Sequence, residues 1–183
     1  MAINSTVYKA SIQVSDMDRN HYQSYDLTVA LHPSETILRM MVRLLVFSML
    51  ADEKEGDEQL SFTKGISTEE EPDLWQKNFS DEVLLWVELG QPDEKRMRKA
   101  CGRSKSVVIV NYHDKSEVWW KEMKSKLSRF SNLRTLSLKE EQVTALEALC
   151  ERTMQLNVTV QDGEFWVSSD NGSCTIRPEW RSF

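Results

Sequence analysis

Val83-Leu84-Leu85-Trp86-Val87-Glu88-Leu89-Gly90-Gln91-Pro92-Asp93-Glu94 is the stretch on which the fold turns. Residues 83–87 form an unbroken apolar run, the mark of a strand buried on both faces, and Glu88 closes it. Gly90 breaks the strand. Gln91 and Pro92 open a helix whose first turn carries Asp93 and Glu94, where the helix dipole favours acids, with Lys95, Arg96, Arg98 and Lys99 after them. Strand, tight turn and helix in so few residues is the repeating unit of an α/β domain.

Working outward, residues 107–110 read as another buried strand, followed by a helix near 115–128, a strand at 133–138 and a helix from 139 to about 150. Upstream, residues 73–77 and 59–64 read as short strands, and the acidic stretch 52–58 as a turn. The long apolar segment 37–50 belongs to a core helix that has Pro33 at its first position and Glu35 in its first turn and runs to about Leu50. At the N-terminus Tyr8, Ala10, Ile12 and Val14 alternate with polar residues, a polar turn spans 15–20, and Tyr25, Leu27, Val29 and Leu31 resume the alternation: a β-hairpin. The chain closes in a small meander, with Asp162-Gly163 turning strands 156–160 and 165–167, and Asn171-Gly172 turning the next.

The 183 residues suit one domain with a closed core, and 40% hydrophobic with 28% charged residues is a globular composition. A net charge of −6 keeps the surface as a whole from attracting polyanions. The exception is the run from Lys95 to Lys105, which holds six bases and no acid, a local track that can meet phosphates or simply face solvent. Cys101, Cys150 and Cys174 are an odd, widely spaced set with neither zinc spacing nor a disulfide framework, so a reducing cytoplasm is expected. The apolar segment 37–50 contains Arg39 and Arg43 and falls short of the roughly 20 residues that span a bilayer, so no membrane partner is expected. His21, His32 and His113 lack ligand spacing, and neither a phosphate-cradling glycine loop nor a Gly-x-Ser-x-Gly elbow occurs.

Three acids stand at particular places: Glu35 at the head of the first helix, Asp73 opening one strand, and Glu88 closing another fifteen positions later. An acid ending a buried strand needs a partner or a metal. A plainer reading of Glu35 is a salt-bridged acid, with Arg39 and Arg43 four and eight positions on. Pro72-Asp73 followed by Glu88 resembles the metal-binding pair of PD-(D/E)XK nucleases, and Glu35 resembles the helix acid that many of those families add. The strings His32-Pro33-Ser34-Glu35, Glu71-Pro72-Asp73-Leu74-Trp75, Trp86 to Glu94 and Arg152-Thr153-Met154 resemble the YaeQ family across essentially the whole chain.

That resemblance implies an α/β (α+β) variant of the restriction-endonuclease-like fold: a mixed central sheet flanked by helices, with a nuclease-like core at about 33–138. The hairpin 4–31 and the meander 154–178 would be additions to a single domain, 1–183. It implies Asp73 and Glu88 as ligands of Mg²⁺, which binds through one or two carboxylates plus phosphate oxygens, and Glu35 as a group holding a metal-bound water. The three carboxylates are then expected within about 8 Å of one another, a spacing a shared hydrated ion can bridge.

The lysine of the nuclease pattern, two residues after the strand acid, is here Gly90. Lys77 lies about 13 Å along its strand from Asp73, too far to substitute. Lys99 and then Arg96, on one face of the following helix, are the expected cations, and Gln91 at the helix entrance completes the candidate set. Pro92-Asp93-Glu94-Lys95 spells the nuclease letters but lies in a helix start and reads as N-terminal capping chemistry. Two functions stay open: a Mg²⁺-dependent phosphodiesterase acting on nucleic acid, or a catalytically degenerate nuclease-fold protein with a binding or regulatory role.

Overall fold

The computed structural model describes residues 4–51, 59–64, 66 and 68–183; the acidic turn expected at 52–58 lies outside them. The fold is mixed α+β with two mixed sheets, and the backbone divides into two compact units, residues 1–52 with 141–177 and residues 53–140 with 178–183.

In the first unit β1 (Thr6–Asp16) and β2 (His21–Leu31) form the expected hairpin, register Thr6↔Leu31 to Asp16↔His21. β8 (Thr153–Gln161), β9 (Glu164–Ser169) and β10 (Gly172–Ile176) form the expected meander. The two do not decorate one central sheet. β1 pairs in parallel with β8, Lys9↔Thr153 to Asp16↔Val160, making a separate five-stranded sheet of order β10-β9-β8-β1-β2. Helix α1 (Ile37–Leu50) belongs to this unit, with twelve of its fourteen residues buried. Its Met41, Leu44 and Leu45 line one apolar space with Ile12, Leu156, Val158 and Val167 of the sheet, so the helix lies on that sheet's inner face.

The start of α1 corrects the sequence reading. Thr36, not the Pro33 region, caps the helix, its hydroxyl accepting the Arg39 N–H at 3.1 Å. Glu35 therefore precedes the first turn. The segment expected to be a helix from 139 to 150 is one α-turn, α4 (Glu140–Val143), followed by a 3-10 helix, Thr144–Leu149. Leu146 and Leu149 are buried there, so burial of the tight turn wins over continuation of the α-helix.

The second unit holds a six-stranded sheet of order β11-β7-β6-β5-β4-β3. Its strands are β3 (Ser61–Phe62), β4 (Leu74–Lys77), β5 (Val83–Leu89), β6 (Ser104–Asn111), β7 (Leu133–Ser137) and β11 (Glu179–Arg181). β5, β6 and β7 run parallel, joined by the crossover helices α2 (Glu94–Arg103) and α3 (Ser116–Leu127). β5 is central, which is why residues 84–87 are apolar without alternation. One face of the sheet presents Trp86, Val107, Ile109 and Leu133 to Met97 and Ala100 of α2 and Trp119, Met123 and Leu127 of α3. That packing fixes the height at which α2 begins, just past the C-terminal end of β5.

Candidate functional site

Glu88 leaves β5 on the face that carries Trp86, two residues earlier, and the Trp86 indole N–H donates to Glu88 Oε2 at 3.0 Å. Asp73 stands immediately before β4, whose first pair is Leu74↔Val87, and so lies beside the end of β5. Its own N–H donates to the Val87 carbonyl at 2.9 Å, and Leu89 N–H donates to Asp73 Oδ2 at 2.7 Å. Asp73 is 2% exposed. The two carboxylates are close enough to feel each other: burial first, and then the Asp73 charge, push the Glu88 carboxyl above its ordinary value, while Arg96 and Trp86 pull it back.

Arg96 is the cation at this pair. Its Nε donates to Glu88 Oε1 at 3.1 Å and its Nη2 to Oε2 at 3.0 Å, a two-pronged contact, and its guanidinium lies 5.5 Å from the Trp86 ring centre. Nη2 also donates to the Glu71 carbonyl at 2.8 Å and Nη1 to the Glu69 carbonyl. Helix α2 delivers this side chain because Asp93 caps it, accepting the Arg96 N–H at 2.8 Å, and because Trp119 Nε1 holds the Pro92 carbonyl at 2.9 Å. The Pro92-Asp93-Glu94 letters are thus capping chemistry. Gly90 makes the turn between strand and helix at φ +107°, with its N–H on the Val110 carbonyl and its carbonyl on Asn111 Nδ2 at 2.7 Å. Asn111 Oδ1 is buried with no donor among the described residues, the kind of atom a water or ligand satisfies.

The other expected residues have partners of their own or are exposed. Lys99, placed ahead of Arg96 on the sequence, puts its ammonium 2.5 Å from Glu70 Oε1, and Arg103 binds Glu70 Oε2 at 2.7 Å. Together they hold the Glu70 carboxyl down at about 2, the Lys99 hydrogen bond contributing most. Gln91 is exposed at the entrance to α2. Lys77 pairs with Asp81 at 2.7 Å and lies over Trp75. Glu35 belongs to the first unit and is engaged there: Arg43 donates to Oε1 at 2.8 Å and to Oε2 at 2.7 Å, and Arg39 to Oε1 at 3.1 Å. This is the salt-bridged reading of Glu35. Among the described residues no group of three or more His, Cys, Asp or Glu side chains is disposed to hold a metal ion, so a cation here would rest on two carboxylates.

Sequence reasoning missed Trp86 and Glu70. Trp86 had a signal, since it shares a strand face with Glu88; Glu70 sits in an acidic run, Glu69 to Glu71, that says nothing of which member meets the cations of α2. The cysteines are free, and burial pushes the Cys101 thiol up to about 11. Among the described residues no helix is long and apolar enough to cross a membrane.

Comparison with known proteins agrees along nearly the full length. The family model described as YaeQ protein matches residues 1–178. The uncharacterized protein YaeQ of Escherichia coli (strain K12) is 41% identical over 177 residues, 96% of this chain and 95% of that protein. The Salmonella typhi protein of the same description is 41% identical over 178 residues, 97% of this chain and 96% of its own. The crystal structure of YaeQ protein from Xanthomonas axonopodis pv. citri superposes with a TM-score of 0.91 at 44% identity, covering 98% of this chain and 99% of that one. The one from Pseudomonas syringae gives 0.89 at 31%, covering 98% and 97%. The chain belongs to the YaeQ family.

Proposed function

We propose that this chain is a cytoplasmic, nuclease-like protein of the PD-(D/E)XK type, acting on nucleic-acid phosphodiesters with Mg²⁺ at Asp73 and Glu88. The observation that carries the reading is a pair of mutually repelling, largely buried carboxylates at neighbouring strand ends, with a guanidinium on one of them, Glu88. Buried like charges side by side are costly, and an arrangement that tolerates them is suited to a cation. The donor set fits the ion: carboxylate oxygens are hard ligands, and Glu88 Oε1 accepts one hydrogen bond and so keeps a second lone pair.

When bound, Mg²⁺ supplies polarisation of the phosphoryl group and an acidified water. The chain's residues do the rest. Asp73, its Oδ2 fixed by the Leu89 amide, orients the ion's side of the site. Arg96 takes the part of the lysine that Gly90 cannot supply: its guanidinium charge, held in place by Glu88 and the Glu69 and Glu71 carbonyls, stabilises the charge that develops on the phosphate. Glu35 keeps Arg39 and Arg43 in place in the first unit.

A second reading has its own observation. Both Glu88 oxygens are already engaged by Arg96, and Oε2 also by Trp86, a self-satisfied network that suits a catalytically degenerate nuclease-fold protein with a binding or regulatory role. The test is cleavage of plasmid and single-stranded DNA and RNA over Mg²⁺ and Mn²⁺, with Mn²⁺ binding followed by calorimetry. The nuclease reading expects metal-dependent cleavage that Asp73→Asn and Glu88→Gln each suppress by about a hundredfold or more, as loss of an electrostatic contact in the transition state does. Wild type indistinguishable from Glu88→Gln in cleavage and in Mn²⁺ binding would abandon it for the second.

A further inference from the structure

Six bases and no acid lie between Lys95 and Lys105, yet on the folded surface three cations of α2 are met by acids from other segments, Arg96 by Glu88 and Lys99 and Arg103 by Glu70. Arg98 and Arg129 share Glu94, the helix's own first-turn acid. Arg96, Lys99 and Arg103, at positions i, i+3 and i+7, form one row, with the buried Met97 and Ala100 turned away from it. The residues opposite this row are Glu69 to Glu71.

Glu70 meets the row in an unusual manner. Its two carboxylate oxygens do not share one partner: Oε1 takes Lys99 at 2.5 Å and Oε2 takes Arg103 at 2.7 Å. One singly charged group offering two oxygens to two separate cations is the stereochemistry of a phosphodiester, with its two non-bridging oxygens and single charge. The segment carrying Glu70 is held by its backbone, through the Arg96 contacts to the carbonyls of Glu69 and Glu71. The Glu70 side chain can therefore leave without the segment moving. It is 65% exposed, and Lys99 and Arg103 are 32% and 49% exposed, so the pairs are solvent-screened and weak enough to exchange. Glu70 is a carboxylate at physiological pH, so it departs by exchange with another anion and not by protonation.

We infer that the Arg96–Lys99–Arg103 row of α2 is a binding track for the phosphodiester backbone of a nucleic acid, and that Glu70 occupies one phosphate position on it as an internal substitute. The cations rise about 10 Å along the helix from Arg96 to Arg103, room for successive phosphates and not for one small anion alone. At one end of the track Arg96 meets the Asp73–Glu88 pair, where phosphodiester chemistry is proposed. The inference deepens that reading but concerns binding, and it stands or falls without cleavage.

The experiment is fluorescence anisotropy of a fluorescein-labelled single-stranded DNA oligonucleotide in EDTA, where metal-dependent cleavage does not enter. Glu70→Gln is expected to bind roughly threefold to tenfold more tightly than wild type, as loss of an exposed competing ion pair allows. Its plot of log affinity against log salt should steepen by about 0.7, one added phosphate contact on a single strand. Lys99→Ala/Arg103→Ala should weaken binding and erase the gain when combined with Glu70→Gln. Glu94→Gln removes the same charge from the other flank of α2 and should give no comparable gain. A Glu70→Gln affinity equal to wild type, or an equal gain from Glu94→Gln, overturns the inference. So does displacement of the oligonucleotide by polyglutamate or inorganic phosphate as readily as by unlabelled DNA. Binding that obeys these expectations without any cleavage in Mg²⁺ leaves the track standing and removes only the nuclease reading; cleavage with no effect of Glu70 does the reverse.

Discussion

Arg96→Met tests how the carboxylate pair is held together. The substitution keeps much of the apolar stem over Trp86 and deletes the two donors to Glu88 and those to the Glu69 and Glu71 carbonyls. Removing one partner of a fully buried ion pair costs about 3–5 kcal/mol; with Arg96 20% and Glu88 13% exposed, about 2–3 kcal/mol is expected at neutral pH. Most of that is the penalty of an uncompensated charge, so Glu88→Gln/Arg96→Met should recover more than half of it. The loss should also depend on pH in a set direction. Burial and Asp73 raise the Glu88 carboxyl above the ordinary 4.5, and deleting Arg96 removes its chief opposing influence, so the folded-state value moves further up. A carboxyl whose folded value lies above its unfolded one holds its proton longer in the folded protein. Stability is then fully present below 4.5 and is lost as pH rises through the folded value. Arg96→Met should thus stand nearest to wild type in mild acid and fall behind as pH rises. Urea unfolding from pH 4 to 8 on the two single variants, the double variant and wild type measures this. A loss below about 1 kcal/mol at neutral pH, or one that is the same at every pH, would refute the account.

Arg43→Met should cost about 3–5 kcal/mol in urea unfolding, because Glu35 and Arg43 are 2% and 4% exposed and Arg43 also satisfies the Ala30 carbonyl; a loss under 1 kcal/mol would mean that this pair is ornamental to the first unit. Gly90→Ala should lose about 1–2 kcal/mol from backbone strain alone, since at φ +107° an added Cβ meets nothing within 4 Å; Gly90→Lys should be strained alike, and wild-type stability in either would remove the conformational reason for glycine at this turn.

Most of the elements were legible because the cues were local. The apolar run 83–87 gave the central strand, the alternation at 8–14 and 25–31 gave the hairpin, and Asp162-Gly163 gave the turn between β8 and β9, where both residues take positive φ. What was not legible was partnership over distance. Alternation in residues 8–14 states which side chains face the core, but it does not reveal that the open edge of β1 pairs in parallel with β8, more than 140 residues later. The hairpin and meander therefore read as additions to one sheet when they compose a second. The three-residue β11 is too short to leave any periodic mark. At α1 the proline at 33 placed the start too early, and Thr36 marks it because its hydroxyl satisfies an otherwise orphaned backbone N–H.

The site divides along the same line. Asp73 and Glu88 were visible because each breaks a pattern, an acid at the border of a buried strand, and strand pairing alone brings them together. Choosing between Lys99 and Arg96 needed the height of α2 against β5, and that is set by Met97 and Ala100 packing on Trp86, Val107 and Ile109. With the helix fixed there, the residue one turn nearer its start reaches Glu88, and Lys99 is carried outward to Glu70. Position, more than charge, thus decides which cation serves the carboxylates. An arginine is also the better occupant, because its five donors let one side chain hold Glu88 with two and tie down two carbonyls with others, while a lysine ammonium has only three. Gly90 follows from the same geometry: the turn that sets α2 at this height takes a positive φ that disfavours any side chain, so the cation had to come from the helix.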